Sequence, residues 1–275
     1  MTTFPHAKIN IGLQITNKRD DGFHNIFTYF YPIPLFDVLE IIENNDSKTN
    51  LILYGNKLEG DINNNLCLKA NKLLAKDYDL PNVNIYLYKN IPAGSGMGGG
   101  SSDATFTLKS LNALFNLNLT TNQLKGYAEM LGSDCPFFVE SKPAIGSGKG
   151  EVLSPLYKKL TKYIFIVIPT FSISTKEAYS NVTPNIDVPN LKDLIEQPVE
   201  FWETTISNDF ESFMFKKYPS SINIKKKLYD MGAVYASLTG SGSAFYGLFN
   251  IKPNIHSFKE EKEKGIILES FLLQL

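Results

Sequence analysis

Five glycines fall between positions 94 and 100, in the run Pro92-Ala93-Gly94-Ser95-Gly96-Met97-Gly98-Gly99-Gly100-Ser101-Ser102-Asp103. Such a density costs backbone entropy that a plain connection has no reason to carry. In exchange it permits positive φ and leaves N–H groups free to converge on an anion. The flanking residues define its setting. Val83, Ile85 and Leu87 alternate as a strand before it, and Ala104, Leu108, Leu111 and Leu114 recur at helical spacing after it. A strand that enters a glycine loop and leaves as a helix brings unpaired N–H groups and a positive dipole end to whatever the loop encloses. Ser101, Ser102 and Asp103 add hydroxyls and a cap at that start. The order predicts a di- or triphosphate site, since a flexible linker has no reason to join a strand to a well-patterned helix.

Three familiar glycine motifs fail here. A Walker A loop needs Lys-[Ser/Thr] after its last glycine, whereas Gly99 is followed by Gly100-Ser101. Gly94-x-Gly96-x-x-Gly99 has the dinucleotide form, yet no acidic residue lies between Asp103 and Glu129 to take a ribose. The protein-kinase pattern is also absent, with neither His-Arg-Asp nor Asp-Phe-Gly.

The loop must hold its anion without help from a global field, because 27 Lys+Arg oppose 28 Asp+Glu and the net charge is −1. That balance argues against a nucleic-acid coat protein or an anionic-membrane binder. A length of 275 residues suffices for two domains or one large one. Cys67 and Cys135 stand far apart with no CxxC pair, which suggests neither a disulfide framework nor a zinc site and points to a reducing compartment. His6 and His256 lack ligand-type neighbours at metal spacing and are expected on the surface or in packing. The N-terminus carries no basic segment followed by an apolar one. The longest strongly apolar run, Tyr163 to Ile168, is far below the roughly 18 residues of a membrane span. The chain is expected to be cytoplasmic.

Elsewhere the pattern predicts a mixed α+β chain. Ala7, Ile9, Ile11 and Leu13 alternate with Lys8, Asn10 and Gly12 as a half-buried strand, so Lys8 and Asn10 project to one side. A turn is expected at Arg19-Asp20-Asp21-Gly22 and extended chain from Phe27 to Ile42. Leu66 to Leu74 reads as a helix after Asn63-Asn64-Asn65. A further helix capped at Thr120-Thr121 carries Leu124, Tyr127, Ala128 and Leu131 and stops at Gly132, directly before Asp134. Phe137 to Val139, Ala144 to Val152 and Tyr163 to Ile168 are expected as strands. Ser180 to Lys217 is expected as helices with irregular joins. The chain then ends helix (Lys225–Met231), strand (Val234–Leu238), turn (Thr239–Gly242), strand (Ala244–Phe249), helix (Ile255–Lys264), strand (Ile266–Leu272). The Lys225-Lys226-Lys227 run is a solvated helix face rather than a nucleic-acid patch.

The glycine loop with Ser101-Ser102-Asp103-Ala104 resembles the second motif of the superfamily of galactokinase, homoserine kinase, mevalonate kinase and phosphomevalonate kinase. Ala7-Lys8-Ile9-Asn10-Ile11, Asp21-Gly22-Phe23-His24 and Leu131-Gly132-Ser133-Asp134-Cys135-Pro136 resemble its branch that phosphorylates a cytidyl alcohol, 4-diphosphocytidyl-2-C-methyl-D-erythritol. Further echoes at Asn64-Asn65-Leu66, Gly148-Lys149-Gly150-Glu151, Asn208-Asp209-Phe210-Glu211 and Thr239-Gly240-Ser241-Gly242 extend the resemblance over nearly the whole chain. It implies a two-lobed α+β fold: a ribosomal-protein-like β-α-β N-terminal lobe over residues 1–155 and a ferredoxin-like C-terminal lobe over 156–275. ATP and substrate are expected to meet between them, with Mg²⁺ as the divalent cofactor. The implied reaction moves the ATP γ-phosphoryl to the 2-hydroxyl of the methylerythritol unit, in the non-mevalonate route to isoprenoid precursors.

The resemblance also distributes roles. Asp134 is the implied base, although a turn or N-cap aspartate would look the same in isolation. Lys8 is implied to stabilise charge on the transferred group, against the alternative of an edge-strand lysine. Asn65, Pro92, Ala93, Gly94, Ser95, Gly96, Met97, Gly98, Gly99, Gly100, Ser101 and Ser102 are implied to bind ATP. Asn10 is implied to meet the substrate diol, and Phe23, where Tyr is usual, to stack on cytosine beside His24; hairpin packing is the other reading of that pair. Thr175 and Tyr179 close the implied cytidine site, with a core aromatic as the alternative for Tyr179. Lys149 either reaches the substrate diphosphate or is a solvated turn lysine, and Gly240, Ser241 and Gly242 support the ATP loop or substrate. No residue is assigned to a metal. The expected partner is the small-molecule substrate, with no nucleic acid or membrane, for a monomer or weak homodimer. Rival expectations are a homoserine- or mevalonate-type kinase of the same superfamily and a non-catalytic nucleotide-binding module.

Overall fold

The computed structural model describes all 275 residues. In chain order the elements begin with β1 (Thr2–Thr3), β2 (His6–Lys18), β3 (His24–Phe36), β4 (Val38–Glu43), β5 (Asn50–Gly55), α1 (Leu66–Leu74), β6 (Val83–Lys89), α2 (Gly99–Leu114), α3 (Thr121–Leu131) and α4 (Phe137–Glu140). There follow β7 (Ala144–Ser147), β8 (Val152–Pro155), β9 (Tyr163–Pro169), α5 (Thr175–Ser180), α6 (Leu191–Glu196), α7 (Trp202–Thr205), α8 (Phe210–Lys217) and α9 (Ser220–Asp230). The chain ends with β10 (Tyr235–Leu238), β11 (Phe245–Phe249), α10 (His256–Glu263) and β12 (Ile267–Gln274). It divides into two compact units, each assembled from three stretches. The first holds Met1–Lys8, Leu35–Ala93 and Gly98–Lys142; the second holds Ile9–Pro34, Gly94–Met97 and Pro143–Leu275.

The first unit is built on a sheet of order β1-β4-β6-β5, in which β5 runs parallel to β6 and the other pairs are antiparallel. A parallel pair needs a crossover, and α1 supplies it, so β5-α1-β6 is the expected β-α-β element. Alternation along β4 and β6 turns Leu39, Ile41, Val83, Ile85 and Leu87 to one face. There they pack with Leu68 and Leu74 of α1, Leu108 and Leu111 of α2, and Leu124 and Ala128 of α3. Each of the Leu, Ile and Val side chains among them contributes roughly 1.5–3 kcal/mol by leaving water. Helix α3 starts at a capping box, with the Thr120 hydroxyl accepting from the Gln123 N–H while the Gln123 side chain accepts from the Thr120 N–H.

In the second unit β9, β10, β11 and β12 form an antiparallel sheet of order β10-β11-β9-β12, with helices between β9 and β10 and α10 between β11 and β12. That is the β-α-β-β-α-β order of a ferredoxin-like lobe. Its core joins Phe165 and Val167 to Phe210, Met214, Ile224, Leu228, Phe245 and Phe258, and takes in Leu13, Ile15 and Ile26 from β2 and β3. A further sheet has the order β2-β3-β7-β8.

Several expectations needed correction. Phe137 to Val139 is one turn of helix, not a strand; all three side chains are buried, so the run has no alternation to mark a strand. The stretch from Ala144 to Val152 is not one strand: β7 ends at Ser147, the chain turns where Gly148 and Gly150 adopt φ of 66° and 112°, and β8 begins only at Val152. The extended chain from Phe27 to Ile42 breaks at Asp37, and β5 was not anticipated. Strand β2 is buried on both faces from His6 to Ile15, rather than on one.

Candidate active site

Helix α2 begins at Gly99, earlier than its apolar pattern, and its N-cap is Gly98 with φ of 73°. No side chain caps it, and the expected cap Asp103 lies inside the helix instead. The first N–H groups of α2 are therefore free of side-chain competition, as an anion site at a helix start requires. A methyl group on Gly98 would lie 2.9 Å from the Phe138 ring and 3.0 Å from Lys8 Cε, so the absence of a side chain here is what lets Lys8 pass beneath the helix start. At Gly100 a methyl would meet nothing nearer than Leu66 at 3.9 Å, which leaves room above the backbone. Lys8 Nζ is 3.2 Å from Asp134 Oδ2; the lysine side chain is 3% exposed and the aspartate 33%. Strand β2 carries the lysine, and the turn after α3 carries the aspartate. A buried ammonium is thereby matched to a carboxylate whose other side faces solvent.

Beneath the same helix start is a network that sequence reasoning missed. Lys89 Nζ, at the end of β6, ion-pairs with Asp37 and lies 2.6 Å from Asp103 Oδ2. Asp37 Oδ1 also accepts from the N–H groups of Asn90 at 2.6 Å and Ile91 at 2.8 Å, which ties down the entry to the glycine loop. All three charged side chains are almost fully buried. Burial opposes the Lys89 charge, but the two carboxylates outweigh it and hold its pKa above the ordinary lysine value. Burial also drives the Asp103 carboxyl upward, against the pull of Lys89. The signal was available, because Val83, Ile85, Leu87 and Lys89 share one alternating face of β6. The two thiols take no part in this chemistry. Burial pushes Cys67 well up and Cys135 to about 11, far from the range of a reactive thiolate.

The second unit gathers the residues expected at the cytidyl end. Phe23 is 53% exposed, with Lys149 Nζ 5.2 Å from its ring centroid. His24 stacks on Tyr179 at 5.1 Å, and burial lowers its pKa. Tyr179 meets Phe210 edge-on at 4.9 Å, while Thr175, one turn earlier on α5, has its hydroxyl 3.2 Å from that of Ser241. Lys149, Phe23, His24, Tyr179, Thr175 and Ser241 thus form one continuous set. Asn10 is buried; its Nδ2 donates to the Thr28 hydroxyl at 2.9 Å and its N–H to the Thr239 hydroxyl at 3.0 Å.

Within this unit the outer half of the glycine loop meets the second glycine turn. A methyl on Gly96, whose φ is 81°, would fall 2.1 Å from the Thr239 carbonyl oxygen, so only glycine fits. The Thr239 hydroxyl is 3.4 Å from the Gly96 carbonyl, and the Ala244 N–H donates to the Ser95 carbonyl at 3.1 Å. Pro92 and Met97 are buried, whereas Ala93 and Gly94 are exposed. Asn65, expected to bind ATP, is the N-cap of α1, its side chain accepting from the Cys67 N–H at 2.9 Å.

No group of three or more His, Cys, Asp or Glu side chains is arranged to hold a metal ion. The hard donors near the start of α2 are the Ser101 and Ser102 hydroxyls and the Asp134 carboxylate, and Ser102 Oγ is buried without a hydrogen-bond partner. That donor set fits a Mg²⁺ held largely by phosphate oxygens and water, not one held by a protein cage. No helix is long and apolar enough to cross a membrane.

A helix-start anion site, a Lys-Asp pair and a ferredoxin-like lobe are features of one class of small-molecule kinase. The model of the GHMP kinases N terminal domain matches residues 65–142 and that of the GHMP kinases C terminal domain residues 188–269, and the chain belongs to the GHMP kinases. It is accordingly an ATP-dependent small-molecule kinase. Over 258 residues it is 48% identical to a 4-diphosphocytidyl-2-C-methyl-D-erythritol kinase of Bacteroides fragilis, covering 93% of this chain and 94% of that protein. A relative of the same description from Cytophaga hutchinsonii is 45% identical, over 92% of this chain and 94% of that one. Among solved structures, a 4-(cytidine 5'-diphospho)-2C-methyl-D-erythritol kinase superposes with a TM-score of 0.82 at 28% identity, over 100% of this chain and 98% of that one. A homoserine kinase of Cytophaga hutchinsonii, at 15% identity and a TM-score of 0.67, shares the fold.

Proposed function

We propose that the chain transfers the γ-phosphoryl group of ATP to the 2-hydroxyl of 4-diphosphocytidyl-2-C-methyl-D-erythritol, giving the 2-phosphate and ADP, in the non-mevalonate route to isoprenoid precursors. The observation that carries this reading is the Lys8–Asp134 pair at 3.2 Å, held against Gly98 at the open start of α2. Phosphoryl transfer asks a protein mainly for positioning and charge compensation, with a group to take the attacking hydroxyl's proton. Asp134, with its solvent-facing side, takes that proton as the new O–P bond forms and the bond to the β-phosphate bridging oxygen breaks. Lys8 offsets the negative charge gathered there, and its burial makes that compensation stronger than in water. The N–H groups of the loop from Ala93 to Gly100, with Ser101 and Ser102, hold the ATP phosphates. Mg²⁺, held by those phosphates with Ser102 and Asp134, would supply further neutralisation of phosphate charge.

The same reading gives the second unit the cytidyl end. Phe23 offers its exposed face to cytosine, a contact of about 1–3 kcal/mol, and Lys149 its charge to the diphosphate. His24, Tyr179 and Thr175 bound the base and ribose, and Asn10 with Gly240, Ser241 and Gly242 bounds the polyol. The test is ADP release from Mg-ATP with 4-diphosphocytidyl-2-C-methyl-D-erythritol, homoserine, mevalonate or no acceptor supplied in parallel. Turnover with the cytidyl alcohol alone is expected. Turnover with homoserine or mevalonate in its place would overturn the substrate assignment.

A further inference from the structure

The segment Asn208-Asp209-Phe210-Glu211 has no role in the reading above, yet each of its three polar side chains is engaged in hydrogen bonds. Asn208 is 2% exposed. Its Nδ2 donates to two carbonyls, Leu238 at 3.0 Å and Gly240 at 2.9 Å, and its Oδ1 accepts from the Phe210 N–H at 3.0 Å. Asp209 Oδ2 accepts from the Ile15 N–H at 2.7 Å, and the main chain on either side of Asn208 exchanges hydrogen bonds with Leu13. Glu211 Oε1 accepts from the Leu238 N–H at 2.9 Å and the Ser237 hydroxyl at 3.0 Å. Asn208 is thus anchored through its main chain on β2 and reaches across to the end of β10 and the turn that follows.

That turn has little freedom. Its Thr239 carbonyl occupies the space a side chain at Gly96 would need, and a methyl on Gly240 would lie 2.9 Å from the Gly96 carbonyl. Its Ser241 hydroxyl meets Thr175. We infer that Asn208 is a positioning residue for phosphoryl transfer: by fixing the Leu238 and Gly240 carbonyls it sets the Thr239–Gly242 turn against Gly96, and so the shape in which the glycine loop receives ATP. The inference rests on the reading of that loop as the ATP site. A single nitrogen bridges two carbonyls only if it carries two N–H donors, and the Asn208 amide supplies both at this reach.

The test compares Asn208→Asp, which keeps the shape but turns acceptors toward two carbonyls, with Phe258→Leu, a core change in the same unit. For each, melting temperature, kcat and the KM values for ATP and the acceptor alcohol are measured. Asn208→Asp is expected to raise the ATP KM about tenfold, the size of one well-made hydrogen bond, and to lower kcat. Phe258→Leu is expected to lower the melting temperature with the ATP KM unchanged. Should Asn208→Asp fail to fold, Asn208→Ser, which cannot span both carbonyls, is read in its place. An ATP KM and kcat at wild-type values in the Asn208 variant, or an equal KM change in Phe258→Leu, would overturn the inference while the ATP site stands. Failure of the wild-type chain to bind ATP in calorimetry would overturn the reading of the loop and the inference with it.

Discussion

The unequal exposure of Lys8 and Asp134 decides which of them can meet a substrate. An ammonium as buried as that of Lys8 is tolerated only when matched by an opposite charge, and Asp134 supplies it while keeping a third of its side chain open. Its exposure supports the proposed reading, in which the carboxylate accepts the proton and the lysine compensates charge. Asp134→Asn keeps the shape but removes both the base and the charge. It is expected to lower kcat by roughly 10²–10⁴-fold while the ATP KM stays within a few-fold, as read from steady-state kinetics. Turnover near the wild-type rate would remove Asp134 from the role. Alternation on β2 already placed Lys8 and Asn10 on one side of that strand, whereas Asp134 was singled out by the resemblance carried by Leu131-Gly132-Ser133-Asp134-Cys135-Pro136, since the stop at Gly132 alone suits a turn or N-cap aspartate. Burial of that polar side was not legible, because the partners that satisfy it, Asp134 for Lys8 and Thr28 and Thr239 for Asn10, are distant in sequence. Lys89 was overlooked for the same reason, since a charged residue ending an apolar face looks like a solvated strand end until Asp37 and Asp103 are seen around it.

Elements with local punctuation were the readable ones. The Thr120 cap, the Gly132 stop and the change of period from strand to helix across the glycine loop are short-range signals; α3 stands where they put it, and α2 follows the loop as expected but starts earlier, at Gly99. The turn of helix at Phe137–Glu140 was not readable, because three adjacent apolar residues suit either a buried strand or a buried helical turn, and packing chooses between them. That helix has a consequence at the start of β2. The His6 ring lies among Phe106, Phe137 and Phe138, with centroids 5.9, 6.4 and 5.3 Å away, and its Nε2 has no hydrogen-bond partner. Burial holds its pKa below the ordinary 6.5, with Lys109 adding a smaller push in the same direction. The unfolded chain then takes up a proton before the folded one does. Stability is fully present above the unfolded value and falls as pH drops below it toward the folded value. Melting temperature is expected to decline from pH 7 to pH 5.5 in the wild-type protein and to decline less in His6→Leu. Parallel pH profiles for the two proteins would show that another group carries the acid sensitivity.

Each compact unit draws on three separate stretches of chain, so neither corresponds to a single cut of the sequence. This could not be read from periodicity, which reports how a segment presents its faces but not which distant segment covers them. The core of the second unit makes the point concretely. Its ferredoxin-like sheet lies wholly beyond residue 143, yet Leu13, Ile15 and Ile26 are part of the same buried cluster as Phe210, Met214 and Leu238. The main chain repeats the dependence. Leu13 donates to the Ser207 carbonyl at 3.1 Å and accepts from the Asp209 N–H at 2.9 Å, and the Ile15 N–H is held by the Asp209 carboxylate. Three buried aliphatic side chains at roughly 1.5–3 kcal/mol each amount to about 5–9 kcal/mol. That is comparable with the roughly 5–15 kcal/mol by which a folded domain exceeds its unfolded chain. A fragment comprising residues 143–275 keeps every strand of the sheet but forfeits this share and leaves the Asp209 carboxylate without its partner. It is expected to show no cooperative thermal transition by circular dichroism and poor amide dispersion by NMR, whereas the full chain melts cooperatively. A sigmoidal melt from the isolated fragment would mean that the sheet and its helices suffice, and that β2 and β3 contribute far less to this core than their burial indicates.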